Sequence, residues 1–123
     1  NTAIDSTNIE VVSRQVADFD RTKGLSVMEN ILQAQPEIDA VFAHNDEMAL
    51  GALKAIEAAG LDILVVGFDA TDDAVKSVEA GGMAATVAQQ PGLIGSFGVE
   101  SAMKVIKGEA LEAYVPVDLM LIK

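Results

Sequence analysis

Four short clusters hold the side chains that could do chemistry: Asp18-Phe19-Asp20-Arg21, His44-Asn45, Phe68-Asp69 and Gln89-Gln90. Each comes at or shortly after the end of a short apolar or β-branched run. Planar amides and carboxylates can hydrogen-bond neighbouring hydroxyls in bidentate fashion. Aromatic faces cover the C–H surface of a ring. Phe19, Asn45, Phe68, Asp69 and Gln89 together therefore suit a neutral, polyhydroxylated ligand. Such a ligand needs no charge of its own, no metal and no nucleophile.

Other chemistries lack material. The chain has no Cys, which removes disulfides, thiol catalysis and zinc-thiolate sites. Its single histidine, His44, leaves little for a His-rich metal site or a Ser-His-Asp triad. Asp18/Asp20 and Asp46/Glu47 are close in sequence, but nothing marks either as an acid–base pair with separated pKa values. No GxGxxG, Walker A, GxSxG or EF-hand pattern occurs. Asp69 as a phospho-acceptor would need an acidic pair at the first strand end and a partner lysine, and neither is present. No catalytic residue, metal or cofactor is expected.

The elements that must position these clusters follow from periodicity. Ile9–Ser13 reads as a strand. Arg21–Gln35 reads as an amphipathic helix stopped by Pro36, and Ile38–Ala43 as a buried strand. Asp46–Ala59 reads as a helix ended by Gly60. Ile63–Phe68 is the most hydrophobic strand, with a continuous apolar run that suits burial on both faces. Thr71 is placed to cap a helix over Asp72–Ala80, with Asp72 and Asp73 at its positive end. Met83–Ala88 is a strand, Gly92–Lys107 a helix and Tyr114–Ile122 a final strand. Asn1–Asn8 reads as the tail of a helix. This alternation predicts a flavodoxin-like α/β fold, a parallel sheet with helices on both faces. Ligands of such sheets bind beyond the carboxyl ends of the strands, where the four clusters fall.

The 123 residues make one ordinary domain or part of a larger one. Half are apolar and the mean hydropathy is +0.33, enough for a buried core. Eight basic against 19 acidic residues leave a net charge of −11. Phosphate backbones and anionic lipid would repel such a surface, so neither nucleic acid nor direct membrane insertion is expected. No apolar run reaches the roughly 18 residues of a membrane span. With no signal peptide and no initiator Met at Asn1, a mature or trimmed product is expected.

Each singled-out residue also has a plain structural role open to it. Asn45 could be only a helix N-cap, Asp69 a turn cap, Phe68 core, Phe19 packing and Gln89 an ordinary loop residue. Gln90, beside Pro91, reads as structural or hinge, and His44 as a solvated side chain.

The stretches Ala40–Gly60 (AVFAHNDEMALGALKAIEAAG), Ile63–Val78 (ILVVGFDATDDAVKSV) and Ala84–Gly95 (AATVAQQPGLIG) resemble the C-terminal half of ribose-type periplasmic sugar-binding proteins of ABC transporters. Val16–Leu25 and Tyr114–Ile122 extend the resemblance over nearly the whole chain. It implies that Phe19 packs on a sugar ring, that Asn45, Asp69 and Gln89 bind its hydroxyls, and that Phe68 lines the pocket. It implies a two-lobed clamp, periplasmic or anchored outside a Gram-positive cell, that hands a monosaccharide to a permease. Sugar-responsive transcription repressors share the NDEMALGAL and GFD motifs and are the alternative. The short connection Gly60-Leu61-Asp62 favours the transport proteins.

The resemblance also divides the chain. Residues 1–89 match most of the C-terminal, sugar-binding lobe, 90–117 a segment belonging to the other lobe, and 118–123 a final strand returning to the first. The N-terminal lobe, the first strand of the C-terminal lobe and an Arg-bearing segment after it have no counterpart here, so the chain reads as an incomplete periplasmic-binding-protein lobe. Its unpaired sheet edge and uncovered helix should seek a second copy or a chain carrying the missing lobe.

Overall fold

In a computed structural model, residues 4 and 6–123 are described. Half of the helix-tail reading of Asn1–Asn8 falls on Asn1, Thr2, Ala3 and Asp5, outside the described residues. The chain is an α/β unit built on a four-stranded, mostly parallel sheet. In order come α1 (Arg21–Ala34), β1 (Ala40–Phe42), α2 (Asp46–Ala58), β2 (Leu64–Phe68), α3 (Asp72–Glu79), β3 (Ala85–Ala88), α4 (Pro91–Ile106) and β4 (Met120–Ile122). The sheet order is β1-β2-β3-β4. β1 and β2 pair in parallel with Val41 opposite Val65, and β2 and β3 with Gly67 opposite Thr86.

The core lies between α2, the sheet and α1. Ile56, Val65 and Met28 are fully buried in it, with Leu50, Leu53 and Met83 around them. α1 packs on α2 so tightly that a Cβ on Gly51 would collide with the Arg21 carbonyl and lie 2.8 Å from the Leu25 nitrogen. Side-chain caps set three helix starts: Asp20 accepts from Lys23 N, Asn45 from Met48 N and Thr71 from Ala74 N. The Thr71 cap is where the sequence placed it.

Three expectations are corrected. Ile9–Ser13 forms no strand: it is mostly exposed and pairs with nothing among the described residues. β-Branched composition alone does not make a strand, because a strand exists only through its neighbour's hydrogen bonds. Ile38–Ala43 is not a buried strand either; only Ala40–Phe42 pairs, on one side, and Phe42 at this sheet edge is 58% exposed. Finally, the last strand is shorter than Tyr114–Ile122 and runs antiparallel to β3, with Val87 opposite Leu121. The chain leaves the sheet at Gln90 and comes back at Asp118, and Gln90 Nε2 donates to the Asp118 carbonyl at 2.8 Å. A chain that re-enters at the end it left must run the other way.

The apolar run of β2 is covered unevenly. Val65 and Gly67 are buried beneath the helices, while Leu64, on the opposite face, is 60% exposed. No residue of α4 is buried, although the helix carries Leu93, Ile94, Val99, Met103, Val105 and Ile106.

Candidate functional site

Because β1, β2 and β3 are parallel, the residues that follow them share one end of the sheet. Asn45 stands three residues beyond β1. Its Oδ1 accepts from Met48 N at 2.9 Å, which caps α2, and its Nδ2 donates to the Phe19 carbonyl at 3.4 Å. The cap therefore uses only part of the side chain's capacity, since an amide offers two donors and two lone pairs. Phe19 follows Asp18 in a tight turn in which both residues have positive φ, 50° and 57°. Asp20 N closes this turn on the Ala17 carbonyl at 3.0 Å. Lys23 Nζ donates to Asp18 Oδ2 at 2.7 Å, and that hydrogen bond holds the ammonium pKa above its usual value. The Phe19 ring is two-thirds exposed at 66%.

Asp69 and Ala70 repeat the pattern after β2, with φ of 116° and 55°. Each such residue costs on the order of 1–3 kcal/mol, and strain of this kind gathers where function needs it. Asp69 N donates to the Val87 carbonyl at 2.9 Å, extending the β2–β3 ladder by one bond. Its Oδ1 accepts from Gln89 Nε2 at 2.7 Å, so the side chain faces the end of β3 and does not cap the turn. Phe68, the last residue of β2, is half-buried on the same sheet face as Leu64 and Val66. The structure thus joins Asn45 to Phe19 and Gln89 to Asp69, with Phe68 immediately before the second pair. His44 is exposed, its ring edge-on to Phe42 at 5.5 Å, and Gln90 ties the two ends of the excursion together.

Two features escaped the sequence. Asp46 and Thr86 are both wholly buried. Asp46 Oδ1 accepts from the Thr86 hydroxyl and Oδ2 from Thr71 N, each at 2.7 Å, and Thr86 Oγ1 accepts from Ala70 N at 3.2 Å. Room for the carboxylate comes from Gly67, where a Cβ would collide with Asp46 Oδ1. In the sequence Asp46 stands out only beside Glu47, as a pair with no mark of acid–base work, and Thr86 only as a member of the Met83–Ala88 run. The second feature is Arg21. Its Nε and Nη2 grip Glu47 at 2.8 and 2.7 Å, and Nη2 reaches Asp73 at 3.1 Å. The hydrogen bond to Glu47, then that to Asp73, drives the guanidinium pKa further above its already high value.

Two surface cavities lie away from this rim. One, of about 430 Å³, is lined by Phe97, Lys104 and Leu111 beside α4; the other, of about 560 Å³, by Leu32, Ala55 and Leu61. The polar groups gather elsewhere, on the rim itself, as one wall of a cleft would present them. Among the described residues no group of three or more His, Cys, Asp or Glu could hold a metal ion, and no helix is long and apolar enough to cross a membrane.

A sheet whose carboxyl edge gathers amide, carboxylate and aromatic groups on strained turns has the layout of a ligand-binding α/β lobe. The chain belongs to the periplasmic binding protein domain family, which it matches over residues 2–110. It is 59% identical over 120 residues to the ribose import binding protein of Haemophilus influenzae, covering 98% of this chain and 41% of that protein. It is 55% identical over 113 residues to the ribose import binding protein of Bacillus subtilis, covering 92% of this chain and 37% of that one. The chain thus spans about two-fifths of the length of the curated relatives it matches. Among solved structures, a periplasmic solute-binding protein of an ABC transporter from Actinobacillus succinogenes with bound D-allose superposes with a TM-score of 0.87 at 35% identity, covering 97% of this chain and 43% of that one. The Caulobacter myo-inositol binding protein with bound myo-inositol gives a TM-score of 0.83 at 38% identity, covering 98% and 42%.

Proposed function

We propose that this chain supplies one jaw of the solute-binding component of an ABC import system, and that the whole protein closes two lobes on a monosaccharide, ribose or a close analogue. Phe19 stacks on the ring, Asn45, Asp69 and Gln89 bind hydroxyls, and Phe68 walls the pocket. No bond is made or broken, and the closed form is what a permease receives. The carrying observation is that the ends of parallel strands β1, β2 and β3 present Asn45, Phe68-Asp69 and Gln89 on one rim, where Gln89 bonds Asp69 and the Asn45 amide ties in the Phe19 turn. Relatives at 55–59% identity named as ribose import binding proteins, and neighbours holding D-allose or myo-inositol, support a neutral polyol as ligand. A protein of this kind works outside the cytoplasmic membrane, in the periplasm or anchored at the cell surface.

The division of the chain into 1–89, 90–117 and 118–123 draws support from the Gln90–Asp118 contact, which marks where the chain leaves the sheet and returns. It also draws support from α4, which buries none of its residues between those points. In the whole protein a second lobe covers that helix and completes the cleft. In the isolated chain, association with a second copy takes its place.

The test is a ribose titration followed by amide NMR, on this chain and on the whole protein. The chain should show shifts at Asn45, Asp69 and Gln89 only at millimolar ribose. Lost contacts from the other jaw, at about 1–1.5 kcal/mol each, lower affinity by orders of magnitude. Micromolar binding by the chain alone overturns the half-cleft reading. Whole-protein binding indifferent to Asp69→Ala and Gln89→Ala overturns the site.

A further inference from the structure

We propose that Asp46 and Thr86 are positioning residues: together they hold the Asp69–Ala70 turn in its left-handed conformation and so aim Asp69, and through it Gln89, at the ligand. The consequence for binding rests on the site proposed above; the consequence for the turn does not.

The geometry is a buried relay joining three segments distant in sequence. The Thr86 hydroxyl donates to Asp46 Oδ1, Thr71 N donates to Asp46 Oδ2, and Ala70 N donates to Thr86 Oγ1. Two consecutive amides of one turn, at Ala70 and Thr71, are thereby held from beneath by side chains that water does not reach. Asp69 and Ala70 both have positive φ without being glycine, so the turn does not favour this shape by itself and something must impose it. A buried carboxylate with two fixed acceptor oxygens can do so, because leaving either oxygen unpaired would be costly. The same relay reaches the other pair: Asp46 directly follows Asn45, so the group that fixes the Asp69 turn also sits at the root of the Asn45 cap. Gln89 lies three residues beyond Thr86 on β3 and bonds Asp69 directly. Gly67 completes the arrangement, since any side chain there would displace the carboxylate.

The proton direction matters. A carboxylate only accepts, so the Thr86 hydrogen goes to Asp46 and a lone pair of Oγ1 is left to accept from Ala70 N. Asn in place of Asp46 would offer one acceptor where two are used. Val in place of Thr86 keeps the shape and removes both bonds, while Ser keeps both bonds and loses a methyl group.

The experiment is amide NMR on the full chain, with Thr86→Val, Thr86→Ser and Asp46→Asn beside it. In the unaltered chain the Ala70 and Thr71 amides should exchange slowly with solvent although their turn is at the surface; exchange at the unprotected rate overturns the proposal with no variant needed. In Thr86→Val the three-bond HN–Hα couplings of Asp69 and Ala70 should move toward averaged values, and in Thr86→Ser they should stay. Unchanged couplings in Thr86→Val overturn it, as would equal loss in the Val and Ser variants, the mark of packing alone. In the whole protein, ribose affinity should fall about tenfold or more for Thr86→Val and stay within about twofold for Thr86→Ser. If ribose does not bind the unaltered protein, the proposed sugar site fails while the couplings still decide whether the relay shapes the turn.

Discussion

The side-chain amide of Asn45 meets the main-chain carbonyl of Phe19 at 3.4 Å, tying the loop before α1 to the start of α2. Asn45→Asp keeps the oxygen that caps Met48 N but turns a second carboxylate oxygen toward that carbonyl. Helix content by circular dichroism should be unchanged. The Phe19 turn should loosen, seen as a larger amide shift at Phe19 than at Met48, and sugar affinity of the whole protein should fall about tenfold.

Asp69 carries a φ of 116°, a conformation that only glycine adopts without cost. Asp69→Gly should therefore raise the stability of the chain by about 0.5–1 kcal/mol in urea unfolding, because the exposed bond to Gln89 contributes less than the strain relieved. The same change should weaken sugar binding. A variant that is more stable and binds less well is the expected outcome; a loss of stability would mean that the turn is not strained.

Arg21 holds Glu47 through two parallel bonds and touches Asp73 through a third, linking the first turns of three helices. Arg21→Lys keeps the charge and loses the fork. All three side chains are at least a third exposed, so the loss should be modest, about 0.5–1 kcal/mol, and should shrink at high salt. Chemical denaturation with urea at low and high sodium chloride measures both.

Gly51→Ala should cost about 1–3 kcal/mol or more, since its Cβ would press on α1 backbone at Arg21 and Leu25, which has no rotamer to move away with. The thermal midpoint should drop by several degrees or more. An equivalent change at Gly95 in α4, where an added Cβ meets nothing within 4 Å, should be neutral or stabilising.

Exposed apolar side chains on α4 and on β1 and β2, among them Val99, Ile106, Phe42 and Leu64, call for cover. Sedimentation equilibrium of the chain should show mass rising with concentration, and Ile106→Glu with Val99→Glu should weaken that association. A monomer at all concentrations is the contrary result.

Much of the unit can be read from residue order because it depends on neighbours in sequence. Periodicity located α1 to α4 within a residue or two, Thr71 announced its own cap, and Gly60, at φ 67°, ended α2. The clusters Asn45, Phe68-Asp69 and Gln89 were visible for the same reason: residues directly after parallel strands must share an end. Phe19 follows no strand and reaches that end only through the Asn45 amide.

What depended on distant partners was decided only in three dimensions. Ile9–Ser13 has the composition of a strand but pairs with no strand among the described residues, so it is none. The direction of β4 follows from where the chain re-enters beside Gln90, which no local pattern records. Asp46 and Thr86 looked ordinary one at a time. Their role arises because residues 40 positions apart meet in the dry interior, where a carboxylate must find donors and can thereby shape the turn that supplies one. Local preference wrote the helices and the rim; burial and long-range hydrogen bonding chose the strand partners and the relay beneath the site.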